Sequence, residues 1–363
     1  MRVMIRVDSA TMIGAGHIMR CLTLAERLRK TGAEVSFICR ELPGHLASLA
    51  AAHGYDVHML PFIKSPEASS VEGFVEALQR DKMQDLVYTQ ELLRQFNTID
   101  WLVVDHYALD EEWEKGIRPY AERVFVIDDM ANRHHDCDAL LDQNFHADMD
   151  SRYDGLVPDP CIRLLGPRYL LLREEFRNPL FGRRARDGTI HRVLVFFGGS
   201  DPTNETIKTL DAIEMLNRQD IAYDVVVGQG NANKDQIEVR CANMPGVNYY
   251  YQVDYMAELM EKADFAIGAG GATTWERCYL GLPAMVIALA ENQREGVEEL
   301  APYGAFMNLG WHGDISSAEL GAHMDYVYNH PELVKEMGMK ARRLVQTDGT
   351  AAIKDIEAVF YRK

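Results

Sequence analysis

Residues 2–39 read RVMIRVDSATMIGAGHIMRCLTLAERLRKTGAEVSFIC. The apolar run Val3–Val7 is strand-like. After a loop rich in glycine, Ile18, Cys21, Leu22, Ala25 and Leu28 recur at helical spacing and predict a helix from about Ile18 to Thr31. Gly32 closes that helix, and Val35–Cys39 begins a second strand. Strand, glycine loop, helix, strand is the unit from which parallel α/β sheets are built.

The same alternation extends along the chain. Further strands are expected at Trp101–Val104, Val124–Ile127 and Ala139–Leu141, with a helical stretch from Pro61 to Arg94. The pattern weakens between Tyr153 and Arg186, where Pro158, Pro160, Pro167 and Pro179 interrupt it. The basic run Arg183, Arg184, Arg186 before Asp187-Gly188 is the expected interdomain connection, which gives domains at 1–185 and 188–363. A new series starts at Val193–Phe197 and continues through Tyr223–Val227, Val247–Tyr251, Phe265–Ile267 and Ala284–Ile287. Helices are expected at Pro331–Leu344 and from Ala351 to Tyr361, the last a candidate to pack back on the first domain. The fold class is therefore α/β, with two Rossmann-like domains facing a ligand cleft.

Composition narrows the function. The 363 residues carry 38 Lys+Arg against 55 Asp+Glu, a net charge of −17, which argues against a nucleic-acid or anionic-membrane binder. An anionic ligand would have to be held locally, by backbone N–H groups at helix N-termini. The start, MRVMIRVDSA, lacks secretory architecture, and no apolar run approaches the roughly 20 residues of a membrane helix. Six scattered cysteines without C-x-x-C spacing read as reduced core thiols, so a cytoplasmic protein is expected. Oligomeric state is not legible.

In the first half, Gly14-Ala15-Gly16 fails as a dinucleotide fingerprint, because Met19 stands at the third glycine position. What remains is a loop that lets a ligand approach the backbone before a helix N-terminus. His17, flanked by that loop and following the first strand, is the candidate general base; the plain alternative is a capping or surface histidine. Asp8, Asp105 and the pair Asp128-Asp129 stand at strand ends, where a carboxylate suits either the orientation of a histidine or a sugar hydroxyl, or simple N-capping. Whether Asp8 or Asp105 orients His17 is left open. Tyr107 either offers its hydroxyl to a substrate or walls the cleft. His134-His135-Asp136-Cys137-Asp138 lacks ligand spacing and reads as a polar turn, so no metal is expected.

The second half has two glycine loops. In Gly198-Gly199-Ser200-Asp201-Pro202, Asp201 suits a cap and Pro202 the first position of a helix starting near Thr203, and Ser200 with exposed N–H groups suits phosphate. Gly268-Ala269-Gly270-Gly271-Ala272-Thr273-Thr274-Trp275-Glu276 repeats the plan, with two threonine hydroxyls. Neither is a P-loop. Glu276 suits a ribose hydroxyl pair or a first-turn acid, and the amides of Asn292 and Gln293 suit a sugar, a phosphate or plain solvent.

Taken together, the segments Ile5–Asp8, Ile13–Leu22, Asp105-His106-Tyr107, Phe197–Asp201, Thr273–Pro283 and Glu291-Asn292-Gln293 resemble the UDP-2,4-diacetamido-2,4,6-trideoxy-β-L-altropyranose hydrolases of pseudaminic acid biosynthesis. Those enzymes lie within the glycosyltransferase-B group that includes the MurG-type transferases. The resemblance implies inverting hydrolysis of the sugar–UDP bond by water activated at His17, without a cofactor or metal. It implies catalytic roles for His17, Tyr107 and Asp105, and sugar-side contacts from Asp8, Gly14, Gly16, Arg20, Asn292 and Gln293. UDP would meet Gly199, Ser200, Gly271, Thr273, Thr274 and Glu276, and a fused acetyltransferase is not expected after Lys363. A MurG-like transferase with a UDP-amino sugar donor and a non-catalytic nucleotide-sugar binder are the alternatives.

Overall fold

The computed structural model describes residues 1–62, 71–178, 181, 184–345 and 349–362. The chain forms two compact units, Met1–Leu171 with Thr347–Lys363, and Leu172–Gln346. The first runs β1 (Arg2–Val7), α1 (Gly16–Lys30), β2 (Glu34–Arg40), α2 (Ala47–Ala52), β3 (Asp56–Leu60), α3 (Val71–Arg80), α4 (Lys82–Leu93), β4 (Trp101–Asp105), α5 (Glu111–Ile117), β5 (Arg123–Ile127), β6 (Ala139–Asp142) and β7 (Ile162–Leu165). The second runs β8 (Arg192–Phe196), α6 (Glu205–Leu216), β9 (Ala222–Val227), α7 (Lys234–Ala242), β10 (Val247–Tyr251), α8 (Met256–Lys262), β11 (Phe265–Ala269), α9 (Thr273–Leu280), β12 (Ala284–Ala288), α10 (Glu291–Leu300), β13 (Met307–Trp311), α11 (Ser317–Tyr328) and α12 (Pro331–Val345). The chain then returns to the first unit with α13 (Gly349–Tyr361).

Both sheets are parallel. Their orders, β3-β2-β1-β4-β5-β6-β7 and β10-β9-β8-β11-β12-β13, follow the doubly wound pattern. The central strands are apolar on both faces, as sheets covered on both sides require. In β1, Val3, Ile5 and Val7 enter one core with α1 and α13, while Met4 enters the core on the other face. Arg6 alternates onto the Met4 face and is fully buried. Its charge is met by Asp8 two residues on and by Asp85 of α4, each at 2.6 Å.

The differences from the sequence reading have local causes. Helix α1 starts at Gly16, because Gly14 at φ +74° donates to Ala10 O at 2.9 Å and turns the chain tightly. The stretch 61–94 yields α3 and α4, and Pro66 lies outside the described residues. Strands β3, β7 and β13 stand at sheet edges and carry Asp56, His58, Arg163, Asn308 or Gly310, so they lack the apolar run that marks central strands. The compact units divide at Leu171/Leu172, upstream of the expected connection. Arg184 and Arg186 instead donate to the carbonyls that end α8 and α9, including Lys262 O and Leu280 O, each at 2.7 Å. Arg183 and Pro179 lie outside the described residues.

Candidate functional site

In the first unit the strand order reverses between β1 and β4, the point at which open α/β sheets bind ligands. The loop after β1 leads into α1 with His17 in its first turn, and β4 ends on Asp105. Their side chains meet: His17 Nδ1 lies 2.5 Å from Asp105 Oδ1. A carboxylate oxygen only accepts, so the hydrogen sits on Nδ1, and Nε2 keeps its lone pair with no hydrogen bond from the described residues. Of the two candidate carboxylates, Asp105 therefore holds the ring. Tyr107 stands edge-on to it, centroids 4.4 Å apart. With Ile13 and Leu78 these side chains line a narrow hollow. His17 is 5% exposed, so it is not the surface histidine of the plain alternative. Gly14 and Gly16 do leave empty space where a Cβ would stand.

Arg20, one turn after His17, places its fork on both oxygens of Asp105, at 2.6 and 2.7 Å, and its remaining nitrogen on Asp129 at 2.8 Å. Cys21 Sγ adds a contact to Asp105 Oδ2 at 3.4 Å. Burial alone would raise Asp105, but the Arg20 charge and then His17 outweigh it and hold the carboxyl well below its ordinary range. Arg20 was expected among sugar contacts; its guanidinium is engaged within the protein instead.

Asp8 needs the same correction. Its carboxylate is fully buried and accepts from both terminal nitrogens of Arg6 (2.6 and 2.8 Å), from Arg40 N (2.8 Å) and from His106 Nε2 (3.0 Å). His106 Nδ1 accepts from Ala108 N, which puts the ring hydrogen on Nε2, and burial lowers its pKa toward the neutral form. Asp8 is thus a buried brace beneath the site. Asp128 caps its own turn, accepting from Ala131 N at 2.9 Å, and pairs with Arg133 at 2.8 Å. In the polar turn, His135 Nδ1 meets Glu114 at 2.7 Å, and no group of three metal-ligating side chains occurs among the described residues.

In the second unit the order reverses between β8 and β11, and both glycine loops follow these strands. Gly199 is exposed and Ser200 half-buried. The β9 loop packs against them so closely that a Cβ on Gly228 would come within 2.4 Å of Gly199 O. Asp201 caps α6 as expected, accepting from Glu205 N and Thr206 N at 2.9 Å. The helix starts at Glu205, however, so Pro202 belongs to the preceding turn and not to its first position.

Gly271 and Thr273 are half-buried at the start of α9. Thr274 is buried and points inward, accepting from Arg277 at 2.9 Å, which corrects its reading as a ligand hydroxyl. Glu276 receives the fork of Arg173 at 2.7 and 3.0 Å. Segment 291–293 begins α10 and is not a loop; Gln293 Oε1 accepts from Leu289 N at 3.1 Å, and the side chain of Asn292 lies outside the described residues. Arg173 and Arg277 escaped the sequence reading, and Asp129 was read only as a strand-end carboxylate, not as a partner of Arg20. Only Arg277 left a signal there, as a charge amid the otherwise apolar positions Trp275, Cys278 and Leu280.

All six cysteines are free and buried, and no described helix is long and apolar enough to cross a membrane.

Residues 193–352 match the family model "Glycosyltransferase family 28 C-terminal domain". An uncharacterised protein of Methanocaldococcus jannaschii is 26% identical over 308 residues, 81% of this chain, which spans only 57% of that relative's length. The UDP-2,4-diacetamido-2,4,6-trideoxy-β-L-altropyranose hydrolase of Campylobacter jejuni is 26% identical over 305 residues, 84% of this chain and 97% of its own. Among solved structures, Acinetobacter baumannii MurG superposes with a TM-score of 0.60 over 98% of both chains at 15% identity. The fold is therefore two parallel-sheet, Rossmann-like domains, as in the GT-B glycosyltransferase structures.

Proposed function

We propose that the chain is a nucleotide-sugar hydrolase that cleaves the anomeric C–O bond of UDP-2,4-diacetamido-2,4,6-trideoxy-β-L-altrose, releasing UDP and the free sugar for pseudaminic acid synthesis. The observation that carries the reading is the His17–Asp105 pair. It leaves Nε2 with an unused lone pair, in a chain that aligns with nearly the whole Campylobacter jejuni hydrolase. In this scheme Nε2 takes a proton from water as its oxygen attacks the anomeric carbon opposite the leaving group, which inverts that centre. The C–O electron pair departs with UDP. A diphosphate leaves as an anion, so the second carboxyl acid of ordinary glycosidases is not needed. N–H donors of the loops at Gly199–Ser200 and Gly271–Thr273 receive the developing charge. Tyr107 walls the sugar side, and Gly14 and Gly16 leave room for it. Arg20 and Asp8 act from within the protein, holding Asp105 and His106. Glu276, fixed by Arg173, retains lone pairs for the ribose hydroxyls.

The test is product analysis by mass spectrometry after incubation with the UDP-sugar in ¹⁸O-water, without acceptor. Label in the free sugar and none in UDP is the expected result; label in a phosphate would mean P–O cleavage and sink the scheme. His17→Ala should lower turnover about 10²–10⁴-fold, the usual worth of a positioned base. The second reading is a transferase, favoured by the family 28 match over residues 193–352. It requires that UDP release without an acceptor be negligible.

A further inference from the structure

Arg277, on the first turns of α9, is 3% exposed, and Nε has no hydrogen-bond partner. Its other nitrogens reach only neutral oxygens: Ala269 O at 2.7 Å, Thr274 Oγ1 at 2.9 Å and Thr273 Oγ1 at 3.5 Å. No carboxylate among the described residues forms an ion pair with it; the adjacent Glu276 turns to Arg173 instead. The guanidinium lies against the end of β11 that leads into α9, since a Cβ on Gly268 would stand 2.8 Å from its Nη1 and Ala269 O accepts from it. Burial lowers its pKa to about 10, so the charge persists at neutral pH although desolvation opposes it. A buried cation with no carboxylate in contact, only the Glu276 charge acting on it from a distance, destabilises a fold unless an anion completes it.

We propose that Arg277 is the fixed positive charge of a diphosphate subsite at the β11–α9 loop, acting through the loop from its buried side while the N–H groups at Gly271–Thr273 meet the phosphate oxygens directly. This rests on the nucleotide reading above and adds what the loop alone lacks. A helix start contributes only a partial charge, whereas Arg277 contributes a whole one in surroundings that screen it little. The ligand class is a nucleoside diphosphate or inorganic pyrophosphate.

Calorimetry at pH 7 with UDP, uridine and inorganic pyrophosphate tests the proposal on wild type, Arg277→Gln and Arg277→Lys. Glutamine keeps a donor for Ala269 O but no charge; lysine keeps the charge without the fork. UDP and pyrophosphate affinity should fall about tenfold or more in R277Q and stay within about threefold in R277K, with uridine unchanged in both. Equal losses in the two variants, or a parallel loss of uridine, would assign Arg277 to loop scaffolding and overturn the proposal. Should R277Q not fold, R277K decides: retained pyrophosphate affinity supports the charge role and a tenfold loss refutes it. Pyrophosphate binding that depends on Arg277 without any UDP binding would sink the nucleotide reading but leave this subsite standing. Binding of neither ligand by the wild type would sink both.

Discussion

At the residue scale, Asp105 serves His17, Arg20 and Cys21 at once. In Asp105→Asn one oxygen becomes an NH2 group, which cannot accept from His17 Nδ1 or from the Arg20 fork. The ring then favours the tautomer with its hydrogen on Nε2, the wrong one for a base. Turnover should fall about 10³–10⁴-fold with little change in KM, as steady-state kinetics would show. Tyr153 presents a second residue-level problem: its single hydroxyl hydrogen faces Asp128 O, Asp128 Oδ2 and Asp142 Oδ2, all within 3.1 Å. A proton on Asp142 resolves the conflict by donating to the tyrosine oxygen. Burial first, then the Asp129 charge, push the Asp142 pKa up to about 7. The folded state thus binds more protons than the unfolded chain between about pH 4 and 7, so this group's contribution falls as pH rises through that window. Asp142→Asn removes the fall. Its stability relative to wild type should be greater at pH 8 than at pH 5 by about 1–3 kcal/mol in urea titrations, and an equal difference at both would refute the assignment.

At the scale of elements, α13 shows how a terminal helix becomes part of a core formed hundreds of residues earlier. Phe360 stacks on Phe125 and packs against Trp101, centroids 5.0 Å apart in each case, and Trp101 Nε1 donates to Phe360 O at 3.1 Å. Phe360→Ala should cost the first unit about 3–5 kcal/mol in denaturant unfolding, the usual loss for a buried aromatic ring. The elements also show why part of the fold was legible. Strands β1, β4 and β8 announce themselves because apolar side chains fill both their faces, and α1 does so because its buried stripe repeats at 3.6. Edge strands β3, β7 and β13 bury one side incompletely and carry polar residues, so their signal is diluted. His17 and Asp105 were legible as strand-end chemistry. The partners that fix the site were not: Arg20 meets Asp105 across 85 positions and Arg173 meets Glu276 across 103, spacings that no local pattern encodes.

On the whole-molecule scale, the six-strand order of the second sheet recurs in the first, which adds β7 at its edge, and each unit has its own apolar core. What the molecule shares is charge, and at −17 its field repels a nucleoside diphosphate at long range. Attraction in the proposed nucleotide site comes from N–H groups in contact with the ligand and from the buried Arg277, both inside a distance that salt screens poorly. Repulsion acts over tens of ångströms, and salt removes it, since the Debye length shrinks from about 30 Å at 0.01 M to about 3 Å at 1 M. UDP affinity should therefore be flat or rise modestly between about 0.02 and 0.5 M NaCl, with the association rate rising more clearly. Calorimetry and stopped-flow binding over that range would show it. A steep fall in affinity would instead mean that exposed lysines and arginines hold the diphosphate, and the assignment of the anion to the glycine loops would then be wrong.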